Sequence, residues 1–484
     1  MKAKEHHMLK PCLIKKIKVA FFCFAVPVIF YESSFAQDNS RLKELEPFTK
    51  SDRVLILAPH PDDEAIACAG IIQEALKNGA KLRIVYLTNG EHNEFAFIVY
   101  KKRIILKKRE FINLGEVRRQ ESIKAMKFLG LSADDLIFLG YPDFGTFTIF
   151  TKYWDMDRPF RSLLTRIRNV PYKESPSFKA PYIAQNILKD IKKVILDFNP
   201  NKIFVSHPAD VNVDHKSLYL FLKIALADLK KDLNYQSPKV FPYLVHHVGW
   251  PLPRRYYPNL SIAPPKSFSG SQIKWVSFNL TPEQVEKKRK TILYYNSQTR
   301  SSAFYLLAFA RRNELFGDYP DIDLKIQPNK EEKGFSLFGF SKLFPIGPKA
   351  DHSQSNIQVK ESWVSYAILD EALAIRIEKP EKLVDRFSTT GYLFGYSYKV
   401  PFEEMPKFII VTKRDKFKIY SSGKLIANTG ISLKLNPEEL IIKVPLEILG
   451  FPDFVLASVK AYIGNEEGEG SPVYLSGFRK VNIK

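Results

Sequence analysis

The sequence RVLILAPHPDDEAIACAGII, from Arg53 to Ile72, joins two unlike halves around a knot of charge. RVLILAP is a continuous apolar run, as in strands buried on both faces of a parallel sheet. DEAIACAGIIQEALKNGA, starting at Asp63, reads as a helix closed by Gly79. His60, Asp62, Asp63 and Glu64 stand at the join. Three consecutive acids repel one another, so a positive partner is implied: a metal ion, or the dipole of the helix N-terminus.

The alternation continues outward. KLRIVYLTNG (81–90) reads as a strand, VRRQESIKAMKFLGL (117–131) as a helix and DLIFLG (135–140) as a strand. IAQNILKDIKKVILDFNP (183–200) then reads as a helix and KIFVSHP (202–208) as a strand. This order predicts an α/β fold with a Rossmann-like, doubly wound, mostly parallel sheet. Ligands of such sheets sit beyond the carboxyl ends of the strands. HPDDE (60–64), TNGEHNE (88–94), GYPD (140–143) and HPADVNVDH (207–215) each follow a strand and converge on that rim. A helix KSLYLFLKIALADLKKDL (216–233), a strand KVFPYLVHHVGW (239–250) and two helices within 281–316 complete a domain over 51–320. Residues 321–356 show no steady period and abound in Pro, Gly, Lys and Ser, which reads as a linker. Residues 357–484 give short alternating runs separated by turns. They predict an all-β, sandwich-like accessory domain that folds on its own.

With 45% hydrophobic and 13% aromatic residues, the chain has an ordinary globular composition. Its formal charge of +21 suits anionic envelopes, lipids or polysaccharides. No nucleic-acid recognition motif accompanies that charge, so nucleic acid is not an expected partner. Lys10, Lys15, Lys16 and Lys18 precede the apolar run VAFFCFAVPVIF, and SSFAQ follows it. That order predicts a signal peptide over 1–36 and a periplasmic or extracellular, envelope-associated protein. Cys12 and Cys23 fall in this leader, so the mature chain keeps only Cys68 and forms no internal disulfide. Cys68, among small apolar helix positions, reads as inert packing.

His60 and Asp63, three residues apart, can turn toward one point. HPADVNVDH offers further ligands in His207, Asp210, Asp214 and His215. Two histidines and one aspartate with an open fourth position form a catalytic arrangement for zinc. A second His/Asp cluster at another strand end favours the metal over a decorated helix cap.

PHPDDE, TNGE, RRQES, GYPD, HPADVNVDH and YYNSQ…FARRNELF occur in the order found in the PIG-L/LmbE family of zinc-dependent deacetylases. The chain resembles that family over about 53–320. The resemblance implies hydrolysis of an N-acetyl group, commonly from an N-acetylglucosamine unit of a glycan or glycolipid. It implies His60, Asp63 and His215 as ligands of Zn2+ and Asp62 as the general base. Asp214, beside His215, is placed to orient an imidazole. Asn212 departs from the pattern, because many relatives carry a His there that helps stabilise the tetrahedral intermediate. Either Asn212 suffices with the metal, or His207 or His246 takes over. Arg118 and Glu121 match the family's Arg/Glu helix, the Arg reaching a substrate hydroxyl or phosphate; a surface i,i+3 pair is the plainer reading. Asp143 resembles a sugar-contacting Asp, or it forms the turn. Of His246 and His247, on a strand pattern, one faces the core and the other the cleft. Two other functions fit the same residues. One is a zinc amidohydrolase acting on another small acylated amino sugar or thiol-glycoside, the other a non-catalytic glycan-binding relative. The intact His60, Asp62, Asp63 and His215 set argues against the last.

Overall fold

The computed structural model describes residues 42–326 and 364–484, apart from 93–106, 156, 269–270, 379–386, 414–415, 428–429, 437–438, 464–470 and 476. The expected leader, 1–36, lies outside the described residues. Among those described, no helix is long and apolar enough to cross a membrane.

RVLILA becomes the pivot of an eight-stranded sheet. Its strands are β1 (Lys43–Glu44), β2 (Arg53–Ala58), β3 (Lys81–Thr88), β4 (Leu136–Tyr141), β5 (Lys202–Ser206), β6 (Lys239–Tyr243), β7 (Lys274–Asn279) and β8 (Asn313–Asp318). Their spatial order is β1-β7-β8-β6-β5-β2-β3-β4. β2 pairs in parallel with β3 on one side and β5 on the other, Val54 facing both Leu82 and Lys202. The chain thus departs from β2 toward β4 and returns beyond it, and a crevice for ligands opens where the order reverses. β8 runs antiparallel to β6 and β7, so the sheet is mixed but rich in parallel pairs.

The helices are α1 (Asp63–Lys77), α2 (Lys108–Leu129), α3 (Thr146–Lys152), α4 (Ala184–Phe198), α5 (Val213–Leu229), α6 (Pro282–Leu293) and α7 (Asn296–Leu306). They cover both faces. Val54, Ile56 and Ala58 share one core with Ala65, Ile72 and Met126 of α1 and α2. Leu55 and Leu57 share another with Ile187 and Ile191 of α4 and Leu218 and Phe221 of α5. Burying each large aliphatic side chain contributes about 1.5–3 kcal/mol. This two-sided burial is why β2 reads as an unbroken apolar run.

One local expectation fails. NELF, expected to end a helix, forms β8, where Asn313 to Asp318 pair with Asn279 to Lys274. There Glu314 is fully buried, takes a 2.7 Å ion pair from Lys288 and accepts the Gly70 backbone N–H. The stretch TFTIFTK, though rich in strand-favouring residues, forms α3. Tertiary packing decides it, since Ile149 and Phe150 seat on α5.

The C-terminal strands are β9 (Ile322–Leu324), β10 (Val364–Leu369), β11 (Ala372–Glu378), β12 (Phe387–Tyr396), β13 (Lys407–Lys413), β14 (Lys416–Ser421), β15 (Lys424–Ile426), β16 (Ser432–Leu435), β17 (Glu439–Pro445), β18 (Phe454–Ile463), β19 (Ser471–Leu475) and β20 (Arg479–Ile483). A small antiparallel sheet runs β10-β11-β17-β16; a larger one runs β15-β14-β13-β12-β18-β20-β9, with β19 also on β18. The expected all-β region is present, but its boundaries differ. The first residues of the expected linker form β9, which pairs with β20, Ile322 facing Val481. Residues 327–356 lie outside the described ones.

The centre of the larger sheet, β12 and β18, packs on both sides. Leu393, Val455 and Ala457 join Tyr366, Leu373 and Ile442 of the small sheet. The alternate residues Phe394, Tyr396, Phe454 and Leu456 join Ile149, Phe150, Trp154 and Phe221 of α3 and α5. Phe150 lies 5.3 Å from Phe394 and 5.7 Å from Phe402, ring to ring. Lys407 donates to the carbonyls of Phe402 and Met405 and sits 4.6 Å over Trp154. The described residues of the N- and C-terminal regions thus share both cores. Phe394→Ala should therefore lower the stability of the whole unit by about 3–5 kcal/mol, in one transition. Urea unfolding followed by far-ultraviolet circular dichroism measures it, and a loss confined to a separate C-terminal transition would contradict the shared core.

Candidate metal centre

The site begins where β2 ends. Pro59 and Pro61 cannot extend a ladder, so the chain turns at His60 and re-enters as α1 at Asp63. Asp62 holds the turn with φ of 121°, a region that non-glycine residues rarely adopt. Such strain persists where the surroundings over-determine it, typically at functional sites.

The three acids have three different partners. Asp62 Oδ1 lies 3.3 Å from Arg118 Nη2 and makes no capping bond to the helix. Asp63 Oδ2 lies 3.3 Å from His60 Nδ1 and 3.2 Å from His215 Nε2. Glu64 accepts the Asp62 backbone N–H at 3.0 Å and the Tyr295 hydroxyl. The helix-cap explanation of the cluster is thus set aside, because Asp62 makes no capping bond and the three acids meet Arg118, the two imidazoles and Tyr295.

His60, Asp63 and His215 are all buried, with ligand atoms within 4.8 Å of one another. Each imidazole presents its other nitrogen to a further carboxylate. His60 Nε2 lies 3.1 Å from Asp143 and 3.3 Å from Asp214, and His215 Nδ1 lies 3.1 Å from Asp210. This is the support that metal-bound histidines receive, fixing tautomer and ring orientation. Burial works against protonation of His60, but the Asp143 carboxylate and its neighbours win and hold its pKa well above the usual range. Burial also opposes His215, and Asp210 with Asp63 lifts it to about 9. Burial raises Asp63, yet the two imidazoles pull it well below the ordinary carboxylate value. The cluster is short of positive charge, and a cation entering it displaces protons.

The residues fit such a cation. Both ring nitrogens of His215 are buried without a hydrogen-bond partner, although carboxylate oxygens stand 3.1–3.2 Å away. Nε2 thus meets Asp63 as a co-ligand of one cation would, with no hydrogen bond between them, while Nδ1 faces Asp210. A second grouping, His60, Asp143 and Asp214, shares His60. Its Asp214 is already committed, accepting from Phe144 N at 2.6 Å, Thr146 N at 3.2 Å and the Thr146 hydroxyl. His60, Asp63 and His215 are the better ligand set.

Several expected roles change. Arg118 is buried and donates to the carbonyls of Gly90 and Pro61 at 2.8 and 2.6 Å, so it braces Asp62 and the loops around it. It forms no surface pair, because Glu121 instead accepts from Ser297 N and Oγ. Gly90, at φ +68°, is required here, since a Cβ would meet Arg118 at 2.1 Å. Asp143, expected to contact sugar or form a turn, supports His60 and accepts from His92 N at 2.7 Å. Asp214 orients His60, not its neighbour His215. Asn212 is the N-cap of α5, its carboxamide oxygen accepting from Asp214 N at 2.9 Å. His207 is fully buried among Phe268, Trp275 and Tyr319, and burial lowers its pKa to about 3. It belongs to the core. His246 does reach the site, its ring 4.8 Å from that of His215, while His247 pairs with Ser267.

Asp210, one of the four candidate ligands in HPADVNVDH, stands behind His215 and not in the ligand set. Besides facing His215, it accepts from Val245 N and His246 N, tying the end of β6 to the metal centre. Its place in HPADVNVDH, five residues ahead of His215, was the available signal.

Residues 55–226 match the family described as GlcNAc-PI de-N-acetylase, PIG-L. A glucosamine-6-phosphate deaminase-like protein of Bacteroides thetaiotaomicron is 22% identical over 308 residues, 56% of this chain. The match covers 39% of that relative's length. The N,N'-diacetylchitobiose deacetylase of Pyrococcus horikoshii aligns over 54% of this chain and 82% of its own, at 19% identity and a TM-score of 0.33. An A40926 pseudoaglycone deacetylase aligns over 55% and 96%, at 14% identity and a TM-score of 0.34. The matched segment contains His60, Asp62, Asp63 and His215 together with all their carboxylate supports, and residues 55–226 are a PIG-L family domain.

Proposed function

We propose that this protein is an exported, zinc-dependent hydrolase that removes the N-acetyl group from an acetylated amino sugar, of the N-acetylglucosamine type, within a glycan or glycolipid. One observation carries the reading. Two imidazoles and Asp63 converge on a point, while an adjacent carboxylate, Asp62, is held out of the ligand set by Arg118. Two nitrogens and one oxygen suit zinc with an open position. When bound, the ion supplies a Lewis acid for the acyl carbonyl and acidifies water.

The protein's own groups do the rest. Burial pushes the Asp62 carboxyl up to about 7, against the pull of Arg118. A base near neutrality is the right strength to take a proton from the attacking water and return it to the leaving nitrogen. Arg118 fixes the direction of that carboxylate, and Glu64 fixes its backbone. Asp210, Asp143 and Asp214 fix the imidazoles. The PIG-L match supports the amino-sugar acetamide as the substrate. The leader-like segment over 1–36 supports export, and the charge of +21 supports residence near an anionic envelope. Acetate release from a panel of N-acetylated sugars and glycans, with and without a chelator, tests the proposal. Chelator-sensitive release from at least one amino sugar is expected; release from none, by metal-loaded protein, would overturn it.

A further inference from the structure

Beyond the metal centre, a line of rings leads to an arginine that lacks a counter-charge. The His246 ring stands 4.8 Å from His215 at 70°. Tyr305 lies almost parallel to His246, 6.2 Å away at 20°. The Arg254 guanidinium sits over the Tyr305 ring, 4.4 Å from its centroid. Tyr305 is a fixed platform, because its hydroxyl donates to the Val245 carbonyl at 2.5 Å.

The loop that carries Arg254 is equally well held. Arg311 donates to the carbonyls of Leu252 and Pro253 at 2.9 and 2.6 Å. Arg255 N donates to Phe304 O at 2.6 Å, and Trp250 Nε1 donates to Ala263 O at 2.9 Å. The guanidinium is therefore placed before any ligand arrives.

Its charge is not matched. Among the described residues no carboxylate pairs with Arg254, and its Nη1 is buried without a hydrogen-bond partner. The neighbouring cation Arg311 adds to the excess. Burial and the charge of Arg254 lower the Arg311 pKa to about 10. The residue itself is only half-buried, so a solute can reach it. A guanidinium held over an aromatic face without a carboxylate partner recognises oxyanions through charge-assisted hydrogen bonds.

We propose that Arg254 forms a subsite beside the metal centre for an oxyanion, phosphate or carboxylate, carried by the amino sugar or by the group attached to it. Arg311 and Tyr305 position it. The sugar part of this inference rests on the deacetylase reading; the anion part rests on Arg254 alone.

The test uses metal-loaded, full-length protein and three probes: neutral N-acetylglucosamine, its 1-phosphate and a carboxylate-bearing ether of the same sugar. Calorimetry gives Kd, and acetate release is followed in parallel. Wild type should bind at least one charged probe about 10- to 100-fold more tightly than the neutral one, the worth of a charge-assisted bond. The charged probe that gains more identifies the oxyanion. Arg254→Met, which keeps the stacking on Tyr305, should lose this preference while binding the neutral sugar as before; Arg254→Lys should restore part of it. Equal binding of charged and neutral probes by wild type, binding of none, or a preference that survives in Arg254→Met would each overturn the subsite. If the preference behaves as described but no probe yields acetate, the subsite stands and the deacetylase reading falls.

Discussion

Asp62→Asn should keep its metal and lose at least about 100-fold in turnover, the usual worth of a positioned general base. The substitution is isosteric, and asparagine tolerates the positive φ of 121° better than most residues. Its carboxamide oxygen can still accept from Arg118 Nη2, now 3.3 Å from the carboxylate. The ligand atoms of His60, Asp63 and His215 are untouched. What disappears is the basic lone pair that takes the water's proton. The loss should fall on kcat more than on KM, because the proton moves only on the way to the transition state. Steady-state acetate release, read beside the metal content of the same sample, measures both parts. A variant that loses the metal would make Asp62 a ligand; one that retains full turnover would remove it from the chemistry.

His215→Ala should do the reverse and empty the site. The side chain is fully buried and bridges Asp63 and Asp210. Removing it leaves two carboxylates facing a void, one ligand short. Loss of an outer supporting group alone typically weakens a metal site about 10- to 100-fold, so loss of a ligand should exceed that. Competition against a chromophoric chelator measures the affinity, and elemental analysis the stoichiometry. An unchanged stoichiometry would move the metal to the His60, Asp143 and Asp214 grouping.

Much of this was legible in the residues. The apolar run of β2, the helix of α1 and the polar clusters at strand ends were visible because each follows a local period. The cluster at His60, Asp62, Asp63 and Glu64 stood out because charge gathers there without a local reason, and the choice of His215 and the role given to Asp62 came from the family resemblance. The roles of Asp143, Asp210 and Asp214 were not, because which carboxylate meets which imidazole depends on three separate strand ends. His207 misled, since a histidine in a site motif and a histidine in an aromatic core look alike in sequence. NELF extended a helical period by coincidence, and its partner strand β7 lies far away in the chain. The C-terminal region reads as separable because strand alternation suggests one wet face. In β12 both faces are dry, one against the small sheet and one against α3 and α5. No local pattern distinguishes those two cases.

The central claim is that one ion, held by His60, Asp63 and His215, switches on hydrolysis with Asp62 as base. The most direct test strips the protein with a chelator and titrates zinc back while following acetate release from the best substrate of the panel. Activity should be absent at the start, rise linearly and reach its plateau at one zinc per chain, with Asp62→Asn binding the same single ion and staying nearly silent. Full activity in the stripped protein, or a plateau unrelated to one bound ion, would contradict it.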